Sequence, residues 1–308
     1  MISVSNLNHH FWGTHALNNI SFTVKEGSIV ALIGPNGSGK TTLMRCISTL
    51  LPLQEGIVLI NGINITDEPR KSHQLMGYLA DNFGLYDDLT VNQCLLYTAY
   101  SRLEQINDID ALIYSCAKET DVIGFLDKKV NTLSRGMRQR VGIAQAIIHN
   151  PKVLLLDEPA SGLDPEARIG LSRLLIDLKN KGMTMIVSSH ILSELEDYSS
   201  EMLIIKEGRL VEHTVLQNSN FASDNSLVLF KAIVENLTDE IIYLLKIMYP
   251  AVSNINLEKD ELFFNLNETE VKQHEVLTFL IQQGVVVKEF SQVKRNLQDE
   301  YLKTIKNS

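Results

Sequence analysis

Cysteine is scarce in this chain of 308 residues, which has three, and tryptophan scarcer, with one. Cys46, Cys94 and Cys116 are odd in number, show no CxxC spacing and have no histidine cluster nearby. They suggest neither a disulfide framework nor a zinc site, and reduced thiols are expected. Long hydrophobic runs are missing too: no window approaches the roughly 18 consecutive apolar residues of a spanning helix. The N-terminus has no basic segment leading into an apolar one. We therefore expect a chain that is neither secreted nor membrane-spanning. Basic charge is in deficit, with 28 Lys and Arg against 37 Asp and Glu and a formal net charge of -9. A general nucleic-acid binder needs a basic surface, so nucleic acid is not the expected partner and any phosphate binding must be local. We find no repeat of fixed period and no low-complexity tract.

What is present suffices for two domains. Apolar residues make up 44% of the chain, and the length is comfortable for one large domain and one small. ISVSNLNHHF and HALNNISFTV read as two strands around a polar turn, the second ending at Lys25-Glu26-Gly27. Apolar runs of strand length recur at SIVALI, MGYL, KVLLL and MTMIVSS, separated by helical stretches, the pattern of a buried parallel sheet. The class is α/β. From about residue 90 to 132 the texture turns helical: Ile109, Leu112, Ile113 and Cys116 follow the i, i+3, i+4, i+7 rule, with Thr90 as a candidate N-cap. We expect a helical subdomain inserted into a sheet domain of residues 1–213, ending in the EGRLVEH strand. A linker rich in Asn and Ser is expected at 214–225. Residues 226–308 then alternate strand, helix, two strands, helix, strand and terminal helix, a small α+β domain.

Gly34-Pro35-Asn36-Gly37-Ser38-Gly39-Lys40-Thr41, followed by Thr42, satisfies GxxxxGK(S/T) between an apolar strand and a helical pattern. Such a P-loop turns backbone N–H groups around phosphates at a helix N-terminus. Lys40 would reach the β and γ phosphates of ATP, and Thr41 supplies a hydroxyl for Mg²⁺, which favours oxygen ligands. Val153 to Pro159, VLLLDEP, is the expected companion strand, delivering Asp157 to the metal and placing Glu158 just beyond it. Glu158 is the candidate base for an attacking water. These two motifs leave GTPases, kinases, helicases and transport ATPases open.

LSRGMRQR, Leu133 to Arg140, narrows the choice. It resembles the signature sequence of ATP-binding-cassette (ABC) proteins, in the LSxGMxQR form of bacterial exporter cassettes. Its position about one helix before VLLLDEP fits that family. SGLD, Ser161 to Asp164, resembles the D-loop, and His190 resembles the switch histidine that senses the γ-phosphate. The aromatic before Gly13 resembles the adenine-stacking position, with Trp12 preferred and Phe11 the alternative. The resemblance covers roughly residues 1 to 213. It implies a P-loop ATPase fold and a head-to-tail dimer, with either a second copy or a related cassette. In such a dimer Ser134 and the Gly136 N–H, at a helix start, would complete the partner's site. We take Arg135, Arg138 and Arg140 as helix-face residues. The tail resembles accessory domains of some exporter cassettes, through Leu297, Glu300 and Tyr301.

The resemblance implies an ATP-hydrolysing subunit of a transporter, most simply an exporter, on the cytoplasmic face of the membrane. With no spanning segment here, the transmembrane permease would be a separate polypeptide. An ATP-sensing module that gates a membrane protein is a further reading. A cassette of translation or DNA maintenance fits less well, because neither a second P-loop nor sustained heptads occur. The chain departs from the family at GYLADN, where Asp81 stands for the usual glutamine and Ala80 for proline. An acid there can still approach Mg²⁺, directly or through water. Asp81→Gln is expected to keep most ATP turnover while Asp81→Ala uncouples it from transport; full transport by the alanine variant would overturn that role.

Overall fold

In the computed structural model residues 1–191, 195, 198–216, 227–267 and 271–292 are described. They form two units, 1–216 and 227–292. The first opens with a hairpin, β1 (Ile2–Phe11) and β2 (Thr14–Val24). Its two-residue turn, Trp12-Gly13, has φ of 43° and 86°, the positive values that match the twist of a tight hairpin. β3 (Ile29–Ile33) runs into the P-loop and α1 (Lys40–Ile47). β4 (Glu55–Ile60), β5 (Ile63–Asn64), α2 (Pro69–Gln74) and β6 (Met76–Leu79) follow. Next come α3 (Val91–Arg102), α4 (Ile109–Glu119), α5 (Arg135–Ile147), β7 (Val153–Leu156), α6 (Pro165–Asn180), β8 (Thr184–Ser189), β9 (Glu201–Lys206) and β10 (Arg209–Val215).

The strands make two sheets. One is antiparallel in the order β2-β1-β4-β5; the other has the order β10-β9-β3-β8-β7-β6. In the second, β9, β3, β8, β7 and β6 are parallel neighbours, and only β10 runs antiparallel. Every residue of β3 is buried, and so is every residue of β7 and β8, as a sheet covered on both faces requires. Alternation divides the side chains between two cores. Ile29, Ala31, Ile33, Leu154, Leu156 and Val187 pack with α3 to α6. Val30, Leu32, Leu155, Ile186 and Leu203 pack against α1 and the antiparallel sheet.

The helical insertion lies between β6 and β7. Thr90 caps α3 reciprocally: its Oγ1 accepts the Gln93 N–H at 3.2 Å, and Gln93 Oε1 accepts the Thr90 N–H at 2.9 Å. Ile113 and Cys116 of α4 are buried, with Ile109 and Leu112 packed beside them. All three cysteines are free and buried. Burial pushes the Cys46 and Cys116 thiols up to about 12, which keeps them protonated. Among the described residues no helix is long and apolar enough to cross a membrane.

In the second unit β11 (Leu227–Glu235), α7 (Asp239–Met248), β12 (Val252–Glu258), β13 (Glu261–Asn267), α8 (Gln273–Gln282) and β14 (Val286–Gln292) follow in turn. The sheet order β12-β13-β11-β14 is antiparallel throughout. A βαββαβ succession in that order is a ferredoxin-like arrangement. Phe230 and Phe264 stack at its centre with ring centroids 5.7 Å apart.

Three expectations need correction. The linker does not begin at 214: Thr214 pairs with Met202 and Val215 with Glu201, so both belong to β10. Ladder hydrogen bonds outweighed their polar neighbours. Two strands, β4 and β9, had not been expected. The helix expected over TEVKQHEVLTFLIQQG starts at Gln273. The terminal helix, with Leu297, Glu300 and Tyr301, lies outside the described residues, as does most of the expected linker.

These contacts set a scale for stability. Leu155→Ala, which opens a cavity at a fully buried site, should cost about 2–5 kcal/mol. Thr90→Ala, which removes one cap, should cost about 0.5–2 kcal/mol. Denaturant titration measures both, and equal losses would contradict this ranking.

Candidate functional site

The parallel strands end together, and the candidate residues sit just beyond their C-terminal ends. Gly34 follows β3, Asp157 follows β7, Ala80-Asp81 follow β6, and His190 follows β8. Register fixes this alignment: Leu79 pairs with Leu156, Leu156 with Val187, and Leu32 with Ser188. Ligands of open α/β sheets bind at such an edge.

The P-loop is held from below and open above. Gly34 is buried while Pro35, Asn36 and Gly37 are exposed. Gly39 caps α1 at φ 108°, and a Cβ there would lie 2.6 Å from the Ala16 carbonyl oxygen, so no other residue fits. Lys40 is 5% exposed. Its Nζ donates to the Gly34 carbonyl at 2.7 Å and the Pro35 carbonyl at 3.2 Å, and lies 3.9 Å from Glu158 Oε1. Burial pushes the Lys40 ammonium below its ordinary range, opposed by Glu158 and then Asp157. Ser38 Oγ is buried without a hydrogen-bond partner among the described residues. An orphaned hydroxyl beside a buried ammonium, at the first turn of a helix, suits a phosphate. Thr41 and Thr42 follow on α1, both half-buried.

Across from the loop, Asp157 is 2% exposed. The Ser188 hydroxyl donates to Asp157 Oδ1 at 2.7 Å and accepts the Glu158 N–H at 2.9 Å. One side chain thus holds both acidic residues. Glu158 has φ 49°, a left-handed backbone uncommon for its type. Its Oε2 accepts from His190 Nδ1 at 2.5 Å. Glu158 therefore stands between a lysine and a histidine, suited to take a proton from water. Asp81 is exposed in the turn after β6. Burial raises the Tyr78 phenol, with Asp157 and Asp81 adding to the rise and Arg45 opposing it, which puts both acids within electrostatic reach of one side chain. Thr41, Asp157 and Asp81 each offer oxygen, the kind of donor Mg²⁺ takes; among the described residues no group of three or more His, Cys, Asp or Glu is placed to hold a metal ion.

The hairpin turn leaves Trp12 fully exposed, whereas Phe11 packs edge-on against the buried His9 with centroids 4.6 Å apart. Of the two aromatics, Trp12 has the free ring. At the start of α5, Ser134 Oγ accepts the Met137 N–H at 3.3 Å. Its hydroxyl proton can still be donated outward. A Cβ on Gly136 would meet Ala167 Cβ of α6 at 2.9 Å. Asp164 caps α6, accepting the Ala167 N–H at 2.8 Å. Arg138 donates to Asp87 at 2.8 Å, Arg140 pairs with Asp121, and the Arg135 guanidinium lies against Gly162. The arginines of LSRGMRQR are tied to their own unit. Ser188 was not singled out from the sequence: it is the first of the two serines that close MTMIVSS, and nothing in that stretch names its partner.

Residues 17–161 match the family model described as ABC transporter. An uncharacterized ABC transporter ATP-binding protein, YhcH of Bacillus subtilis, is 32% identical over 98% of this chain and 95% of its own length. GlnQ of the same organism, a glutamine transport ATP-binding protein, is 34% identical over 70% of this chain and 90% of its own. CysA of Mesostigma viride, a sulfate/thiosulfate import ATP-binding protein, is 34% identical over 68% of this chain and 60% of its own. Among solved structures, the cassette MJ0796, dimeric in a post-hydrolysis state with ADP and Pi, superposes with TM-score 0.64 and 25% identity over 71% of this chain and all of that one.

Removing the Ser188 hydroxyl tests the bridge. Ser188→Ala should weaken the Mg²⁺ dependence of nucleotide binding about 10- to 100-fold, the usual cost of losing a group that orients a metal ligand. Isothermal titration with and without Mg²⁺ measures it, and an unchanged metal requirement would sink the assignment.

Proposed function

Because the chain belongs to the ATP-binding subunits of ABC transporters, which are ATPases, we propose that it works as a head-to-tail pair energising a separate transmembrane permease. The observation that carries this reading is Glu158, held at φ 49° between Lys40 and His190. In the proposed cycle Gly34, Asn36, Gly37, Ser38, Gly39, Lys40, Thr41 and Thr42 receive the ATP phosphates, and Trp12 stacks on the base. Thr41, Asp157 and Asp81 hold Mg²⁺, whose chemistry is to neutralise charge on the β and γ phosphates. Glu158 takes the proton of the attacking water while His190 fixes its carboxylate. The second copy brings Ser134 and the Gly136 N–H to the γ-phosphate, with Asp164 setting the α6 end of that surface. ATP favours the closed pair and its products the open one, so differential affinity drives the permease between two states.

We place the pair on the cytoplasmic face of the membrane. Export is the direction suggested by the LSxGMxQR form of the signature; the import cassette among its relatives shows that cassettes of similar sequence serve the other direction. For permease docking we favour a cavity of about 730 Å³ lined by Ser48, Arg70, His73, Tyr78, Tyr100 and Arg102.

Glu158→Gln should bind Mg-ATP, lose turnover by about 10²-fold or more and elute as a dimer on size exclusion. Undiminished hydrolysis would refute the base. The same variant, purified with Mg-ATP from detergent-solubilised membranes, should bring down a polytopic membrane protein at equal stoichiometry. Ribosomal or chromosomal partners instead would end the transporter reading.

A further inference from the structure

His10 and His15 are direct cross-strand partners near the tip of the first hairpin, one on each side of Trp12-Gly13. Their rings meet at right angles with centroids 4.1 Å apart. The strand is fixed beneath them: Gln54 Oε1 accepts the His10 N–H at 2.7 Å, and Gln54 Nε2 donates to the His10 carbonyl at 3.1 Å. Among the described residues no ring nitrogen of either histidine has a hydrogen-bond partner. The neighbouring His9 is different, being 2% exposed, and burial followed by the field of His10 pushes its imidazole below the ordinary value.

Two imidazoles on facing strand positions, with free nitrogens and a braced backbone, can converge on one cation. Facing side chains start about 4.5–5.5 Å apart at Cβ, and metal–imidazole bonds are about 2.0–2.1 Å, so rotation about the side-chain torsions brings one nitrogen of each ring to a shared ion. Nitrogen donors select divalent transition metals such as Zn²⁺, Ni²⁺ or Cu²⁺ over Mg²⁺. The position gives such an ion a consequence. The hairpin is joined to the P-loop region through β2, where Ala16 abuts Gly39 and the Asn18 N–H donates to the Gly208 carbonyl at 2.7 Å. Its tip carries the fully exposed Trp12 ring.

We propose that His10 and His15 form a two-histidine site for a divalent transition-metal ion, which clips the hairpin and holds Trp12 in place for the nucleotide base. The second half rests on Trp12 as the base platform; the metal site itself does not. Water would complete the coordination shell.

Trp12 is the sole tryptophan, so its fluorescence reports this hairpin alone. Untagged, chelator-treated protein titrated with Ni²⁺ in the absence of nucleotide should show saturable quenching that excess chelator reverses, that Zn²⁺ competes for and that Mg²⁺ does not reproduce. His10→Asn and the exposed-site variant His15→Gln should each shift the midpoint by more than about tenfold, since a single imidazole remains. No saturable response, or an unshifted midpoint in both variants, overturns the site. A fluorescent ATP analogue should then bind at least about threefold tighter with Ni²⁺ to the parent and equally with or without it to His15→Gln. Equal affinity in the parent would overturn the coupling. A parent that binds no analogue at all would instead count against the proposed function, since the quenching is read without nucleotide.

Discussion

The register of the parallel sheet is the constraint on which the site depends. β3, β8, β7 and β6 are aligned so that four chain segments of different chemistry end at one edge. Because these strands are buried on both faces, a slip by one residue would exchange the side chains assigned to the two cores. Leu155 would then face the helices and Leu156 would face α1. The hydrophobic sorting that stabilises the unit therefore also positions Asp157, and no separate device is needed to bring it opposite the P-loop. Ser188 completes the alignment by joining the ends of β8 and β7 through one hydroxyl.

That edge is electrostatically demanding. An acidic chain gathers Asp157, Glu158 and Asp81 where a polyphosphate must also bind, and Lys40 is the buried cation among them. Lys40 is partly desolvated and leans on two loop carbonyls, an arrangement that a triphosphate improves by offering charged acceptors in place of neutral ones. On the proposed reading, a divalent cation held by Asp157 and Asp81 would lessen the repulsion between carboxylates and phosphates. Glu158 has a left-handed backbone at φ 49°, and its carboxylate meets His190. Two adjacent acids thus have different partners, the Ser188 hydroxyl for Asp157 and His190 for Glu158.

How much of this was legible in the sequence follows from whether the signal is contiguous. The P-loop and VLLLDEP are local words, and their chemistry lies in one stretch each. The Thr90 cap was legible for the same reason. Ser188 was not, because its partners are about a strand and a helix away in sequence and a serine at a strand end has no pattern of its own. β4 and β9 escaped notice although Asn61-Gly62 and Glu207-Gly208, both turn signals, follow them directly. β10 outran its expected end because pairing with β9, not composition, sets its length. Residue type favoured Trp12 over Phe11, and in the hairpin the Trp12 ring is fully exposed while Phe11 packs edge-on against His9.

The opening of LSRGMRQR shows why a second copy is structurally required by the proposed mechanism. Ser134 accepts from its own helix and retains a donor, and Gly136 is the residue that lets α5 approach α6 closely. Arg138 and Arg140 are engaged by Asp87 and Asp121 within the unit, so two of the motif's three arginines are paired locally. What the stretch still presents is a helix N-terminus, whose unpaired N–H groups favour an anion over the first turn only. Such a terminus has little affinity for a dissolved phosphate by itself. It becomes selective when another surface delivers a phosphate to it already oriented, and the P-loop of a second copy is the surface of that kind which this chain possesses. Half-sites that are individually weak and jointly strong give ATP its differential affinity for the closed pair, and that difference is the free energy available to a permease.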